Sequence, residues 1–232
     1  MKKNIIVAIS ILLFFLTGCS NGRINPEKVS SIKRIGVISH IGNTMTSYKL
    51  GLTAFNNHTL KTNVSNWNID TFITREFSSA IKTKTNVKYI PISNRGNNFS
   101  RGYQEGVLHI ENIKSEIKRT LNGNNLDALI FVTKGQDDPL SKVWVEGFNL
   151  INKFGFVHTN VYLRFIIVGI DNNKLVEIGS SRLLESKRVS SLVWPNGDQP
   201  IPVNGLNIAE EKIKGIIKKG VGTALINYGL VR

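Results

Sequence analysis

Residues 128–132, Ala128-Leu129-Ile130-Phe131-Val132, form an apolar run with no polar member. Its length and β-branching predict a central strand with both faces covered by other elements. Gly135 to Pro139 ends it. Upstream, Ile110, Ile113, Ile117 and Leu121 recur at helical spacing and stop at Asn122-Gly123. Further upstream, Ile69, Phe72, Ile73, Phe77, Ala80 and Ile81 fall on one helical face, with Asn66 or Asn68 able to cap it. A buried strand preceded by two amphipathic helices points to an α/β arrangement.

The flanks extend this pattern. Ile35, Val37, Ser39 and Ile41 alternate with Arg34, Gly36, Ile38 and His40 and predict a strand buried on at least one side. Gly42-Asn43 offers a turn, and Met45 to Phe55 predicts a returning strand. Asn56 to Trp67 and Ser93 to Gly106 read as loops. Val87 to Ile92 reads as a strand that Pro91 places at an edge or an end. Phe154 to Val157 and Asn160 to Ile170 are strand candidates. Asp171-Asn172-Asn173 is a turn, and Leu175 to Ser181 returns as its partner. Ser186 to Val203 contains Trp194-Pro195-Asn196-Gly197 and two further prolines, and reads as a surface loop. Asn207 with Glu210 three residues on is similar to a capping box and predicts the start of a last helix. Ile208, Ile213, Ile216, Ile217, Val221, Ala224, Leu225 and Tyr228 supply its buried face. Gly215, Gly220 and Gly222 within it suggest close packing on the sheet or fraying near its end. The expected architecture is an α/β (α+β) fold: a single mixed sheet packed with about three helices in a two-layer or three-layer sandwich.

The amino terminus carries a different signal. In KKNIIVAISILLFFLTGCS (residues 2–20), Lys2 and Lys3 form a positive region, and Ile5 to Leu16 an apolar run interrupted by Ser10. That run is too short to span a bilayer as a helix. Leu16-Thr17-Gly18-Cys19 follows in register. These residues resemble the signal peptide and lipobox of bacterial lipoproteins. The resemblance implies cleavage before Cys19 and attachment of acyl chains to its sulfur and new amino group. Two or three chains form a stable anchor where one would bind only marginally. Ser20, where some lipoproteins carry an aspartate that retains them at the inner membrane, resembles the outer-membrane pattern facing the periplasm. The expected organisation is a signal peptide over 1–18, a lipid-anchored tether over 19–31, and one globular domain over 32–232.

Composition bounds what that domain does. Cys19 is the only cysteine, so an acylated chain has no thiol left for a disulfide, thiol catalysis or cysteine-ligated zinc. The hydrophobic share of 41% suits a folded chain rather than a disordered one. Lys plus Arg is 30 against 16 Asp plus Glu, a formal charge of +14. Such an excess attracts polyanions. Nucleic acid is not the expected partner of an envelope lipoprotein. Anionic lipid headgroups, lipopolysaccharide phosphates and cell-wall polymers are nearer, and a solvated lysine-rich surface without a ligand is the plain alternative.

A second resemblance concerns the folded part. The lipobox, a βαβ-like first half, a long hairpin and a closing helix together resemble the periplasmic domain shared by curli-secretion lipoproteins, penicillin-binding-protein activator lipoproteins and the amino-terminal domain of the Tol-system translocation protein. The local match is VYLRFIIVGIDNNKLVEIG (residues 161–179), similar to the hairpin of those domains. The resemblance implies a recruiting or scaffolding role. Pore formation is not implied, because no pair of alternating ten-residue segments stands out.

Candidate chemistry is sparse. His40, His58, His109 and His158 lack the i, i+4 spacing of a helical zinc pair, and no metal or cofactor is expected. Asp137-Asp138 before Pro139 reads as a turn initiated by acidic residues, or as carboxylates at the end of a central strand. Trp144, Phe148 and Trp194 sit in loop-like stretches as core residues or exposed contacts. Arg188 and Trp194 in the Ser186–Val203 loop are the candidate partner contact. The reading that follows is a membrane-anchored, non-enzymatic binding or scaffolding module for an envelope protein or anionic envelope polymer. Its rivals are an envelope hydrolase using Asp137, Asp138 and a histidine, and an anionic-lipid or lipopolysaccharide binder.

Overall fold

A computed structural model of the chain describes residues 24–51, 57–92, 99–104, 107–137, 145–195 and 199–231. Its centre is one long strand, β10 (Phe156–Asp171). Two shorter strands share one flank of β10: β9 (Val145–Lys153) pairs antiparallel with residues 156–162, and β7 (Ala128–Lys134) pairs antiparallel with residues 163–169. The other flank is filled by β11 (Lys174–Arg188). Next outward, β1 (Arg34–His40) runs parallel to β7, and β2 (Thr44–Leu50) parallel to β9. β3 (His58–Asn63) and β4 (Lys88–Tyr89) close the far edges.

β7 and β9 form almost one continuous lane. Gly135 donates to the Tyr162 carbonyl at 2.8 Å, and the Gly147 amide to the Gly135 carbonyl at 3.2 Å. Between them the chain makes an excursion that opens with β8 (Gln136–Asp137), paired to the start of β9. Gly147 returns at φ +63, a conformation glycine adopts without a Cβ clash. A short hairpin, β5 (Tyr103–Gln104) and β6 (Val107–Leu108), lies outside the main sheet.

Helices cover both faces of the β1/β7 half. α2 (Ile69–Lys84) and α4 (Val203–Asn227) bury Ile73, Phe77, Ile213, Ile217 and Val221 against Val37, Ile130, Leu163 and Phe165. On the opposite face α3 (Lys114–Gly123), after a 3₁₀ turn at Ile110–Ile113, buries Ile113, Ile117 and Leu121 against Ile38, Leu129, Phe131 and Ile166. Odd and even residues of β7 therefore serve two separate cores, as its run of apolar side chains requires. The α/β sandwich with one mixed sheet is as expected, with three layers in this half.

Several boundaries differ from expectation. Packed structure already includes Ile24, which bridges to Gly179, upstream of the expected start at Ile32. Asn25 caps a five-residue helix, α1 (Pro26–Ser30), through its side chain on the Lys28 amide, and Pro26 occupies the first turn. Val29 is buried, and Lys28 lies 2.6 Å from Asp171. Half of the expected tether is thus packed structure, and α1 is a fourth helix. β3 lies inside the expected Asn56–Trp67 loop. Phe148 is on β9, buried beside Trp67, and not in a loop. The last helix starts at Val203 after Pro202, so Asn207 and Glu210 sit inside it and no capping box forms. Asn68 does occupy the cap position of α2, but in the left-handed region and without a side-chain cap bond.

Candidate functional site

The two halves of the sheet are covered differently. In the β2/β9 half, one face carries Met45, Phe148, Leu150 and Val161, packed under Val189, Leu192 and Ile201 of the segment after β11. Among the described residues no helix packs on the other face. Register alone lists its side chains, because residues directly opposite share a face. Tyr48, Ile151, His158 and Arg188 form one row across β2, β9, β10 and β11. Lys153 and Phe156 lie above it, and Tyr162 opposite Leu184 below it. Arg164 opposite Arg182 completes the lower edge, and Lys61 on β3 the outer one.

This face mixes cations with exposed apolar groups. Phe156 and Leu184 are 49% and 50% exposed, far more than core residues of those types. The Arg188 guanidinium stands 4.3 Å above the Phe156 ring, a cation–π pair that leaves the ring edge to solvent. Lys61, Lys153, Arg164, Arg182 and Arg188 contribute five positive charges. Among the described residues the carboxylate reaching this side is Glu146, which Lys134 holds at 3.2 Å. Burial, and secondarily the Glu146 carboxylate, raise the Tyr48 hydroxyl above its ordinary pKa. Glu185 points to the opposite face, with Lys187 and Lys219 at 3.4 and 3.6 Å. Arg164 directly opposite Arg182 is a like-charge cross-strand pair, which costs stability unless an anion lies over it.

By the same register Asn149, Asn160 and Ser186 lie on this face, and Asn149, Asn160 and Tyr162 are buried within it. Asn160 donates to the Asn149 side-chain oxygen at 3.0 Å, with both side chains buried between β9 and β10. The Asn149 amide nitrogen has no partner among the described residues. At the crest, Phe154 and Gly155 make the β9–β10 turn with φ of +51 and +84, and Gly155 donates to the Asn152 side chain at 3.0 Å. Phe154 is 56% exposed and borders a cleft of about 340 Å³ with Lys49, Leu50 and His58.

The sequence candidates are only partly brought together. Arg188 belongs to this face. Trp194 is on the other side of the sheet, half-buried against the core and bordering a small cleft with Ser47, His58 and Ile201. The two expected contacts therefore do not form one surface, because β11 extends through Arg188 and only then does the chain cross over. Cys19, Asp138, Trp144, Asn196 and Gly197 lie outside the described residues. Asp137 ends β8. His40 stacks on Tyr103 at 4.2 Å, His58 opens β3, His109 precedes the 3₁₀ turn, and His158 lies on the basic face. The four histidines are thus dispersed over β1, β3, β10 and the segment before the 3₁₀ turn.

Another acidic residue has a structural task that the sequence reading missed. Asp70, in the first turn of α2, accepts from Ser39 Oγ at 2.6 Å, the Ile41 amide at 2.7 Å and the Gly42 amide at 3.1 Å. It pins the β1–β2 bend to the helix, and the Ser39 hydroxyl is committed to it. A cleft of about 950 Å³ lies at the other end, between Val29, Lys33, Lys84, Val87 and Leu230. Its walls are aliphatic side chains, lysines and the neutral polar residues Ser30, Thr83, Thr85 and Asn86, with no carboxylate or histidine among the described residues.

No family model matches the chain, and no curated protein matches it. Among solved structures it is similar to a hypothetical protein, CT253, from Chlamydia trachomatis, at 10% identity and a TM-score of 0.41, covering 84% of this chain and 98% of that one.

Proposed function

We propose that the chain is a membrane-anchored envelope lipoprotein acting as a non-enzymatic binding module at the outer membrane, facing the periplasm. The anchor is Cys19 in its lipobox. The binding surface is the face built by β2, β9, β10 and β11. The observation that carries this reading is the union of exposed Phe156 and Leu184 with five cations on the sheet that no carboxylate among the described residues pairs. Exposed aromatics beside arginine are the usual composition of contact surfaces, and the charge selects an anionic envelope component.

Two measurements test it. Mass spectrometry of the native product should find residues 1–18 absent and Cys19 diacylglycerylated; an intact amino terminus or a free thiol rejects the anchor. A photoreactive amino acid at Phe156 should form an adduct with an envelope component in living cells, while the same group at Lys212, exposed on α4, should not. Equal labelling at both positions, or none at Phe156, rejects the face.

A further inference from the structure

The position of the anchor relative to the basic face narrows its ligand. Five Cα-to-Cα steps separate Cys19 from Ile24, so an acylated Cys19 lies within about 18 Å of Ile24. Ile24 is held on the outer edge of β11 by its bridge to Gly179, and the Asn25 amide donates to the Ile178 carbonyl at 3.0 Å. The bridge is antiparallel, so the amino-terminal side of Ile24 points along β11 toward Arg182. At the rise of a β-strand, Arg182 and Leu184 lie about 10 and 17 Å from Gly179. The bilayer that holds the acyl chains is therefore within reach of the strand bordering the basic face.

We infer that this face rests on the anionic headgroup surface of the bilayer in which the chain is anchored, with Arg164, Arg182, Arg188 and Lys153 on lipid phosphates and Phe156 and Leu184 dipping between headgroups. The inference deepens the proposed function and rests on its lipid anchor. Three observations favour a lipid surface over a protein partner. The segment from Cys19 to Ile24 keeps the β11 edge within about 18 Å of the anchored residue. The Arg164–Arg182 repulsion is relieved by phosphate. Exposed phenylalanine and leucine interspersed with arginine and lysine is the composition of interfacial membrane-binding surfaces.

The test uses the native lipidated protein reconstituted into vesicles of phosphatidylcholine alone or with 30% phosphatidylglycerol as the probe surface. Flotation in 1 M salt reads the anchor, because acyl chains hold regardless of ionic strength. Lysine acetylation at low salt reads the face. Lys153 and Lys61 should be shielded in anionic vesicles, by at least about fivefold relative to phosphatidylcholine vesicles, while Lys212 and Lys218 on α4 react equally in both. The double variant R182E/R188E, at exposed positions, should float as before and lose the shielding. Loss of flotation rejects the anchor itself. Normal flotation with equal reactivity in both vesicles rejects the lipid surface and keeps the anchored module. Shielding that arises only after addition of envelope protein extract also rejects it, in favour of a protein partner.

Discussion

Phe154 carries a cost the fold does not require. A left-handed backbone places Cβ against the following carbonyl, at roughly 1–2 kcal/mol for an ordinary side chain. Asparagine bears it far more easily, and Asn-Gly is the favoured pair for a two-residue hairpin in which both φ values are positive. Here the pair is Phe154-Gly155, with Phe154 exposed. The proposed lipid face gives Phe154 a use, as an apolar group at the crest beside Lys153 and Phe156. Phe154→Asn should therefore raise stability by about 1 kcal/mol in urea unfolding, and weaken binding to anionic vesicles at least threefold. A variant that gains no stability, or binds as before, removes the functional meaning of the strained residue.

At the scale of elements, what the sequence disclosed tracks how each element is buried. Ala128–Val132 was legible because both faces are covered and no polar residue interrupts the run. The helix at Ile69–Lys84 was legible because Ile69, Ile73, Phe77 and Ile81 repeat on one side. β9 was hidden because it buries asparagines: Asn149 and Asn152 read as loop residues, yet Asn149 is satisfied in part by Asn160 on the next strand. β10 was read in two pieces because His158 and the buried Thr159, two polar residues in succession, interrupt the apolar pattern. β3 alternates between half-exposed and exposed residues and had no apolar stripe to reveal it. The basic face was invisible in sequence, because its cations are spread over four strands and meet only through register. The glycines of α4 divide along the same lines. A Cβ on Gly220 would come within 2.4 Å of Leu183 Cδ2 and 3.0 Å of its Cγ, whereas one on Gly215 meets nothing within 4 Å. Gly220→Ala should cost about 1–3 kcal/mol through overpacking, which exceeds the helix-propensity gain. Gly215→Ala should add about 0.5–1 kcal/mol. Thermal unfolding of the two variants checks the pair, and equal shifts would contradict the packing of α4 on β11.

For the molecule as a whole, the closing helix must be held to the sheet at both of its ends. At the carboxyl end this is done by one buried phenol. Tyr228 donates to the Phe165 carbonyl at 2.9 Å and accepts from Ser181 Oγ at 3.2 Å, and Phe165 and Ser181 are opposite each other on β10 and β11. One hydroxyl thus ties α4 to both strands of the long hairpin. Burial is the main cause that pushes the Tyr228 phenol well above its ordinary pKa of 10.0, and it does the same to Tyr103. The sign follows from linkage: the folded state keeps the proton longer than the unfolded state does. The stabilisation is therefore complete below pH 10 and falls as pH rises beyond it, by up to about 1.4 kcal/mol per pH unit for each such tyrosine. Tyr228→Phe removes a hydrogen-bond donor and should cost about 1–2 kcal/mol at pH 7. It also removes one titrating group, so its urea midpoint should decline less steeply than that of the wild type between pH 10 and 11.5. Parallel declines would show that the phenol ionises as easily in the fold as in the open chain, and the buried clamp between α4 and the hairpin would have to be abandoned.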